Sequence, residues 1–225
     1  QVLDITQDIK LGDIDGDGDI DLLICGQNNE LEEHTSLYIN QGDGTFLESF
    51  ENPLEDIYNG EIAFLDIDGD SDQDIAIVGQ NEFFEDIAKI YLNNGNGEFE
   101  ELLETPFIGV RFTSIGTGDI DNDNDLDVLI AGKTAFLIGN PSVVETKLYK
   151  NDGNGNFTEV IGTPFVGIEY GSISFFDIDN DNDADLLLTG SNSAKLYSND
   201  GNGVFTEIIG TPFSGVTGSS VDVAD

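Results

Sequence analysis

The sequence predicts an all-β protein, a β-propeller built of four-stranded antiparallel blades. Two repeated landmarks support this prediction. An aspartate-rich stretch of nine residues starts at positions 13, 66, 119 and 177, at intervals of 53, 53 and 58 residues. A second stretch, Tyr-x-Asn-x-Gly-x-Gly-x-Phe, follows each of them and begins at Tyr38, Tyr91, Tyr149 and Tyr197. Tandem units of about 50 residues with four strand-like segments each are typical of propeller blades.

The first repeat shows how each strand is predicted. Ile9 and Leu11 alternate with polar residues ahead of the aspartate loop, which indicates a strand. The continuously apolar run 22–25 follows the loop and is expected to be covered on both faces. The third strand carries Tyr38, and the fourth begins near Phe46, after a glycine-rich turn.

Residues 1–225 are predicted to form a single propeller-type repeat region. Asp225 stands where the aspartate loop of a fifth repeat would begin, so we expect part of a longer blade array. A closed four-bladed ring and an open blade superhelix are the alternatives. The repeats are predicted at approximately 3–55, 56–108, 109–166 and 167–215, with the start of a fifth at 216–225.

The aspartate stretch is the predicted metal site. It has carboxylates at positions 1, 3, 5, 7 and 9, which repel one another unless a cation lies among them. Hard oxygen ligands without nearby Cys or His favour calcium, and Ile24 stands at position 12, where an EF-hand needs Glu. We predict about four calcium ions per chain, held by side chains at positions 1, 3, 5 and 9 and the carbonyl at position 7. The predicted metal residues are Asp13, Asp15, Asp17, Asp19 and Asp21; Asp66, Asp68, Asp70, Asp72 and Asp74; Asp119, Asp121, Asp123, Asp125 and Asp127; and Asp177, Asp179, Asp181, Asp183 and Asp185.

Position 6 of the loop is expected to need a positive φ. Gly18, Asn124 and Asn182 tolerate that conformation, whereas Ser71 adopts it less easily. The second loop is therefore predicted to bind its ion most weakly.

Charge and composition exclude several function classes. Seven Lys and Arg against 46 Asp and Glu give a net charge of −39, which disfavours nucleic acid and anionic membranes as partners. No apolar run approaches the length of a membrane span. The single cysteine, Cys25, is predicted to be a small strand residue, and His34 is the only histidine. With no Gly-x-Ser-x-Gly motif either, we predict no enzyme.

The loops resemble a known family. Asp-x-Asp-x-Asp-Gly-x-x-Asp between two strands, followed by an apolar strand ending in glycine, resembles the FG-GAP/VCBS repeats. These form the calcium-loop blades of integrin α-subunit head propellers and of many secreted bacterial surface proteins. The resemblance implies calcium, propeller blades and a secreted or cell-surface location. The Phe-Gly and Gly-Ala-Pro words of the integrin form are absent, so no integrin-type ligand is implied.

The predicted function is a non-enzymatic calcium-binding extracellular scaffold or adhesion module, for protein interaction or self-assembly. Partners would be other blades of the same or neighbouring chains, and a protein or glycan ligand. Only the connection between the second and third strands varies in length, and Phe83, Phe84 and Phe136 lie there, as ligand anchors or as covers for the blade edge. The alternatives are a lectin-like propeller, weakened by the absence of Trp, and a calcium-dependent polysaccharide lyase, poorly supplied with basic residues.

Overall fold

The computed structural model describes residues 5–28, 30–50, 52–135 and 141–221, which form sixteen strands and no helix. Within these ranges there is no helix long and apolar enough to cross a membrane. The strands build four antiparallel sheets, each a meander of four consecutive strands, as the sequence predicts. The strands are β1 Ile5–Gly12, β2 Asp21–Gln27, β3 Glu33–Asn40, β4 Phe46–Ser49, β5 Tyr58–Leu65, β6 Asp74–Gln80, β7 Asp86–Asn93, β8 Phe99–Leu102, β9 Arg111–Gly118, β10 Asp127–Lys133, β11 Val144–Asn151, β12 Phe157–Glu159, β13 Ser172–Phe176, β14 Asp185–Gly190, β15 Ser193–Ser198 and β16 Thr206–Glu207.

The hydrophobic core lies between the sheets, which we call blades one to four in chain order. Leu23 and Cys25 of blade one pack in one cluster with Ile62, Ile75 and Ile77 of blade two. Equivalent clusters fill the junctions between blades two and three and between blades three and four. The second strand of an internal blade contributes to both junctions, which explains why its sequence is continuously apolar.

A tyrosine seals each junction. Tyr91, Tyr149 and Tyr197, at equivalent places on the third strands, are fully buried. Each hydroxyl accepts a hydrogen bond from a backbone N–H of the link that enters its blade. The donors are Glu55 at 3.1 Å, Ile108 at 3.0 Å and Val166 at 3.2 Å, respectively. The buried phenol is thus satisfied, and it fixes the link against the next blade.

An asparagine joins consecutive blades at the end that carries the aspartate loops. The Asn93 side-chain amide of blade two donates to the carbonyl of Ile14, which is position 2 of the first aspartate loop, at 2.8 Å. Asn151 and Asn199 make the same bond to Ile67 and Ile120, at 2.8 and 2.7 Å. The aspartate loop of one blade and the glycine-rich turn of the next therefore lie together on one face of the array.

The first strands gather around a common axis. Gln7, Glu61, Thr113 and Ser172, one from each blade, line a polar cavity of about 250 Å³. Lys10 pairs there with Asp8 at 3.2 Å and with Glu61 at 3.5 Å. Burial raises the pKa of Glu61 to about 7, although the Lys10 ammonium opposes the shift.

Residues 216–221 take the place of a fifth first strand. The Val221 N–H donates to Ser172 Oγ at 3.3 Å, as the Ile62 N–H donates to the equivalent Asp8 at 3.0 Å. The predicted first ligand of a fifth loop, Asp225, lies outside the described residues.

The outward faces of blades one and four are open. Ile178 in the fourth aspartate loop is 38% exposed, whereas the equivalent Ile14, Ile67 and Ile120 are at most 1% exposed. On blade one, Leu11 is 66% exposed. The described blades thus form an open array rather than the closed four-bladed ring considered as an alternative.

We predict that Asn93→Ala lowers the free energy of unfolding by about 1–3 kcal/mol, because it leaves the buried Ile14 carbonyl without its donor. The matched variant is Asn40→Ala, since Asn40 has the same place in blade one but bonds only within its own blade. Asn40→Ala should cost clearly less in urea unfolding of the monomer. Equal losses from the two variants would contradict the role given to this junction.

Candidate metal centres

The four aspartate loops close through the same hydrogen bonds. The carboxylate at position 1 accepts the N–H of position 6, as in Gly18 to Asp13 at 3.0 Å. The carboxylate at position 5 accepts the N–H of position 7, as in Asp19 to Asp17 at 2.8 Å. The other three loops repeat both bonds with lengths between 2.9 and 3.1 Å. The repeated pattern of the sequence is thus a repeated backbone conformation.

Two positions of each loop have positive φ. Position 6 does so as predicted, and this includes Ser71 with φ of 78°. The second loop therefore has the same shape as the others, and its serine adopts the conformation at a cost in free energy. Position 4 is also positive, from 60° at Asn122 to 77° at Gly69, and this was not anticipated although Gly or Asn stands there in every loop.

The aspartate at position 9 fixes the loop to the third strand. Asp21 is fully buried, and its two oxygens accept the N–H groups of Ile14 and Asn40, each at 2.8 Å. Asp74, Asp127 and Asp185 make the same pair of bonds in their own blades. Burial raises the pKa of Asp74 and of Asp127 to about 6, opposed by the backbone donors. Position 9 is therefore a structural residue whether or not it also binds a metal.

Each loop brings three carboxylates together. One oxygen from each member lies within 4.8 Å of the others in every cluster. Loops one and two gather positions 1, 3 and 5, whereas loops three and four gather positions 1, 3 and 9. The clusters are Asp13, Asp15 and Asp17; Asp66, Asp68 and Asp70; Asp119, Asp121 and Asp127; and Asp177, Asp179 and Asp185.

Position 7 has a different surrounding. Its side chain lies against the glycine-rich turn of its own blade, where a Cβ on Gly42 would come within 2.5 Å of Asp19 Oδ2. Asp72, Asp125 and Asp183 are placed in the same way against Gly95, Gly153 and Gly201. Their side chains are outside the clusters, and the expected carbonyl ligand at position 7 stays a prediction.

The clusters have the chemistry of a divalent cation site. Within the described ranges, Asp13 Oδ1, Asp68 Oδ1 and Asp121 Oδ1 are buried oxygens without a hydrogen-bond donor. Desolvation and neighbouring carboxylates raise the pKa of Asp15 and of Asp68, so the charged form is disfavoured there without a counter-charge. A hard cation bound by these oxygens would satisfy both the orphaned atoms and the charge.

The third loop contains a counter-charge of its own. Lys150 Nζ donates to Asp121 Oδ2 and lies 3.2 Å from Asp123 Oδ2. The equivalent residues in the other blades are Ile39, Leu92 and Ser198, which carry no charge. Sequence reasoning missed this contact, although Lys150 directly follows the repeated tyrosine and the third repeat alone has a lysine there.

The remaining candidates fall outside these clusters. Cys25 is fully buried, and burial raises the pKa of its thiol to about 12, as expected for an inert strand residue. His34 makes a 3.1 Å hydrogen bond with Asn28. Phe83 and Phe84 are 69% and 71% exposed, which favours a role as ligand anchors over a role in covering the blade edge. Phe136 lies outside the described residues.

We predict that Ser71→Gly raises the free energy of unfolding by about 0.5–1 kcal/mol, since glycine adopts positive φ without a Cβ penalty but loses some chain entropy. The reciprocal variant is Gly18→Ser, where an added Cβ meets nothing within 4 Å and only the backbone term changes. It should destabilise by a similar amount in the same thermal unfolding measurement. A neutral or destabilising Ser71→Gly would contradict the strain assigned to this loop.

Comparison with known proteins agrees with the repeat architecture described above. The model of the FG-GAP-like repeat matches residues 13–77, 66–130, 132–188 and 177–225. The curated proteins contain no matching sequence. A solved structure of a lectin from Agrocybe aegerita, described as recognising non-reducing terminal N-acetylglucosamine, is similar with a TM-score of 0.60 and 22% identity. The similarity covers 87% of this chain and 49% of the lectin chain, so this chain spans about half of that protein, and the likeness is one of fold. Since the four repeat matches together span most of its length, the chain belongs to the FG-GAP repeat family.

Proposed function

We propose that the chain is a non-enzymatic, calcium-binding scaffold or adhesion module that acts outside the cell. The observation that carries the proposal is the set of four carboxylate clusters, three of which hold a buried oxygen with no donor among the described residues. Loops of this kind bind calcium at the millimolar concentrations found outside cells, which supports the extracellular location.

The role of the ion would be structural. The first loop carries the clustered aspartate side chains, and its Ile14 carbonyl accepts a hydrogen bond from Asn93 of the next blade. A cation that fixes the loop would therefore also fix the junction between blades. The ion would contribute binding free energy to the folded state alone, because the unfolded loop does not hold its carboxylates together.

A non-enzymatic role is supported by the state of the basic residues. Each of the seven Lys and Arg side chains is already paired with a carboxylate. A lyase acting on acidic sugars needs cationic groups free to neutralise the substrate carboxylate, together with a base. Among the described residues, no Lys or Arg is left without a carboxylate partner to take that role.

Carbohydrate binding is the second candidate. The fold likeness to a lectin that recognises N-acetylglucosamine favours it, although 22% identity extends to the fold alone. A repeated blade scaffold with exposed variable loops also suits protein ligands, and Phe83 and Phe84 are exposed on such a loop. Both ligand classes are compatible with the scaffold proposal.

Further blades are the proposed partners of the open faces. Blade one exposes Ile9 and Leu11, and blade four exposes Ile178, at the places that neighbouring blades cover inside the array. Such faces associate unless they are covered. We expect sedimentation of the chain in calcium to show self-association that chelator weakens. A monomer under both conditions would contradict self-association and leave blades of the same polypeptide as the partner.

We predict that the protein binds four calcium ions and that excess chelator lowers its melting temperature, since each site contributes about 2.7 kcal/mol at a hundredfold excess of ion over Kd. Calorimetric titration of Asp68→Ala should show three ions. The control is Asp43→Ala, because Asp43 is an exposed turn carboxylate outside the clusters, and four ions should remain. Fewer than three ions in the unaltered chain, or an unchanged melting temperature in chelator, would refute the proposal.

We predict that the third loop is the weakest calcium site, because the Lys150 ammonium must leave Asp121 and Asp123 before the ion binds. Lys150→Leu, which copies Leu92 of blade two, should tighten one of the four sites by up to about fivefold, the scale of a partly exposed ion pair. Ser198→Leu changes the same place in blade four and should leave all four affinities unaltered. A weakest site at Ser71 would instead support the expectation drawn from sequence.

A further inference from the structure

Two equivalent clefts open at the outer edges of blades three and four. The cleft of blade three has a volume of about 310 Å³ and is lined by Lys147, Glu159, Ile161, Thr163 and Phe165, among others. The cleft of blade four measures about 370 Å³. The residues that line it at the same places are Lys195, Glu207, Ile209, Thr211 and Phe213.

The cleft exists because the outer strand is short and the chain then turns back. β12 pairs only with 149–151 of β11, so the first half of β11 faces the cleft instead of a strand. The link to the next blade closes the far side, where Gly167 approaches so closely that a Cβ would lie 2.1 Å from the Val144 carbonyl oxygen. Gly215 packs in the same way against Asn192 in blade four.

A lysine and a glutamate face each cleft. Lys147 Nζ lies 3.1 Å from Glu159 Oε1, and Lys195 bonds Glu207 in the equivalent place. These side chains are about one third exposed, so the pair retains free donors and acceptors. Together with Lys89, three of the seven basic residues in the chain occupy this one place in successive blades.

Blade two has the pair but not the same freedom. Lys89 is bridged by Glu101 at 3.2 Å and also by Glu55 at 3.0 Å. In the turn after the fourth strand, blade two has Glu104 where blades three and four have Gly162 and Gly210, and all three residues have positive φ. Lys147 also has a second carboxylate, that of Glu145, but at the longer distance of 3.9 Å. Two carboxylates within 3.2 Å of the Lys89 ammonium leave it less able to bind a ligand, so blade two provides an internal control.

An exposed apolar residue borders this place in every blade. Single exposed apolar side chains are ordinary, but an exposed apolar side chain at the same position in all four repeats indicates a ligand or protein contact there. The four residues are Phe50, Leu103, Ile161 and Ile209, which are 82%, 71%, 81% and 80% exposed.

We propose that each of the two clefts binds one sugar residue of a neutral glycan, an inference that rests on the proposed role as a binding module. Sugar hydroxyls both donate and accept, so they can bond the carboxylate and the ammonium of one pair, while the C–H face of the ring packs on Ile161 or Ile209. A net charge of −39 disfavours acidic glycans. Two clefts on one chain make it bivalent.

The test is a titration of the calcium-loaded chain with N-acetylglucosamine and with glucose, followed by the backbone amide signals of both clefts. Glycerol is the control for a non-specific polyol effect. We expect saturable shifts at Ile161 and Gly162 and at Ile209 and Gly210. Lys147→Met with Lys195→Met should weaken binding by about tenfold or more, as for loss of a charge-assisted hydrogen bond. Lys89→Met should leave it unchanged.

Three outcomes would overturn the inference: no shift with either sugar, the same shifts with glycerol, or saturable shifts confined to the loop of Phe83 and Phe84. Each is distinguishable from failure of the scaffold proposal, because the calcium stoichiometry and the effect of chelator are measured on the same sample without sugar. A dense N-acetylglucosamine surface should retain the unaltered chain far better than either single lysine variant, since each variant keeps one cleft and loses avidity.

Discussion

The structure depends on holding five carboxylates within nine residues in a compact loop. Four such loops contain 20 of the 46 acidic residues, against seven basic residues in the whole chain. Backbone N–H groups bond one carboxylate oxygen at positions 1 and 5 and both oxygens at position 9. Buried oxygens of Asp13, Asp68 and Asp121 are left without a donor among the described residues. Hydrogen bonds alone therefore do not complete the loop, and a bound cation would.

The same loop determines how blades stack. Position 9 ties it to the third strand of its own blade, and the carbonyl at position 2 ties it to the asparagine of the next. The apolar clusters between blades bury most of the surface at each junction, while these polar contacts set the register in which one sheet packs against another. The internal blades repeat both bonds, so an ordered loop stabilises its own blade and the junction with the next one. This is expected for a repeat protein in which each unit contacts only its neighbours.

Much of this was predictable because the repeats supply internal comparisons. The period predicted the blades, and the alternation at Ile9 and Leu11 predicted the first strand. The repeated aspartates indicated where the carboxylate clusters lie, although each cluster gathers only three of the five. The pattern predicted a positive φ at position 6, but residue type alone could not show whether Ser71 would adopt it; Ser71 does so because tertiary context overrode its local preference. Contacts between distant parts of the chain, such as Lys150 in the third loop, also required coordinates. The positive φ of Phe112 and Tyr170, whose rings stack at 4.4 Å, had no signal in residue type.

A structural calcium in each loop is tested most directly by diffraction from crystals grown in calcium, recorded at a long wavelength where calcium scatters anomalously. We expect four anomalous peaks per chain, each among the carboxylates of one aspartate loop, with the buried oxygens of Asp13, Asp68 and Asp121 as ligands. Peaks elsewhere, or ordered water in place of calcium inside loops of unchanged shape, would contradict the claim that a cation completes the fold.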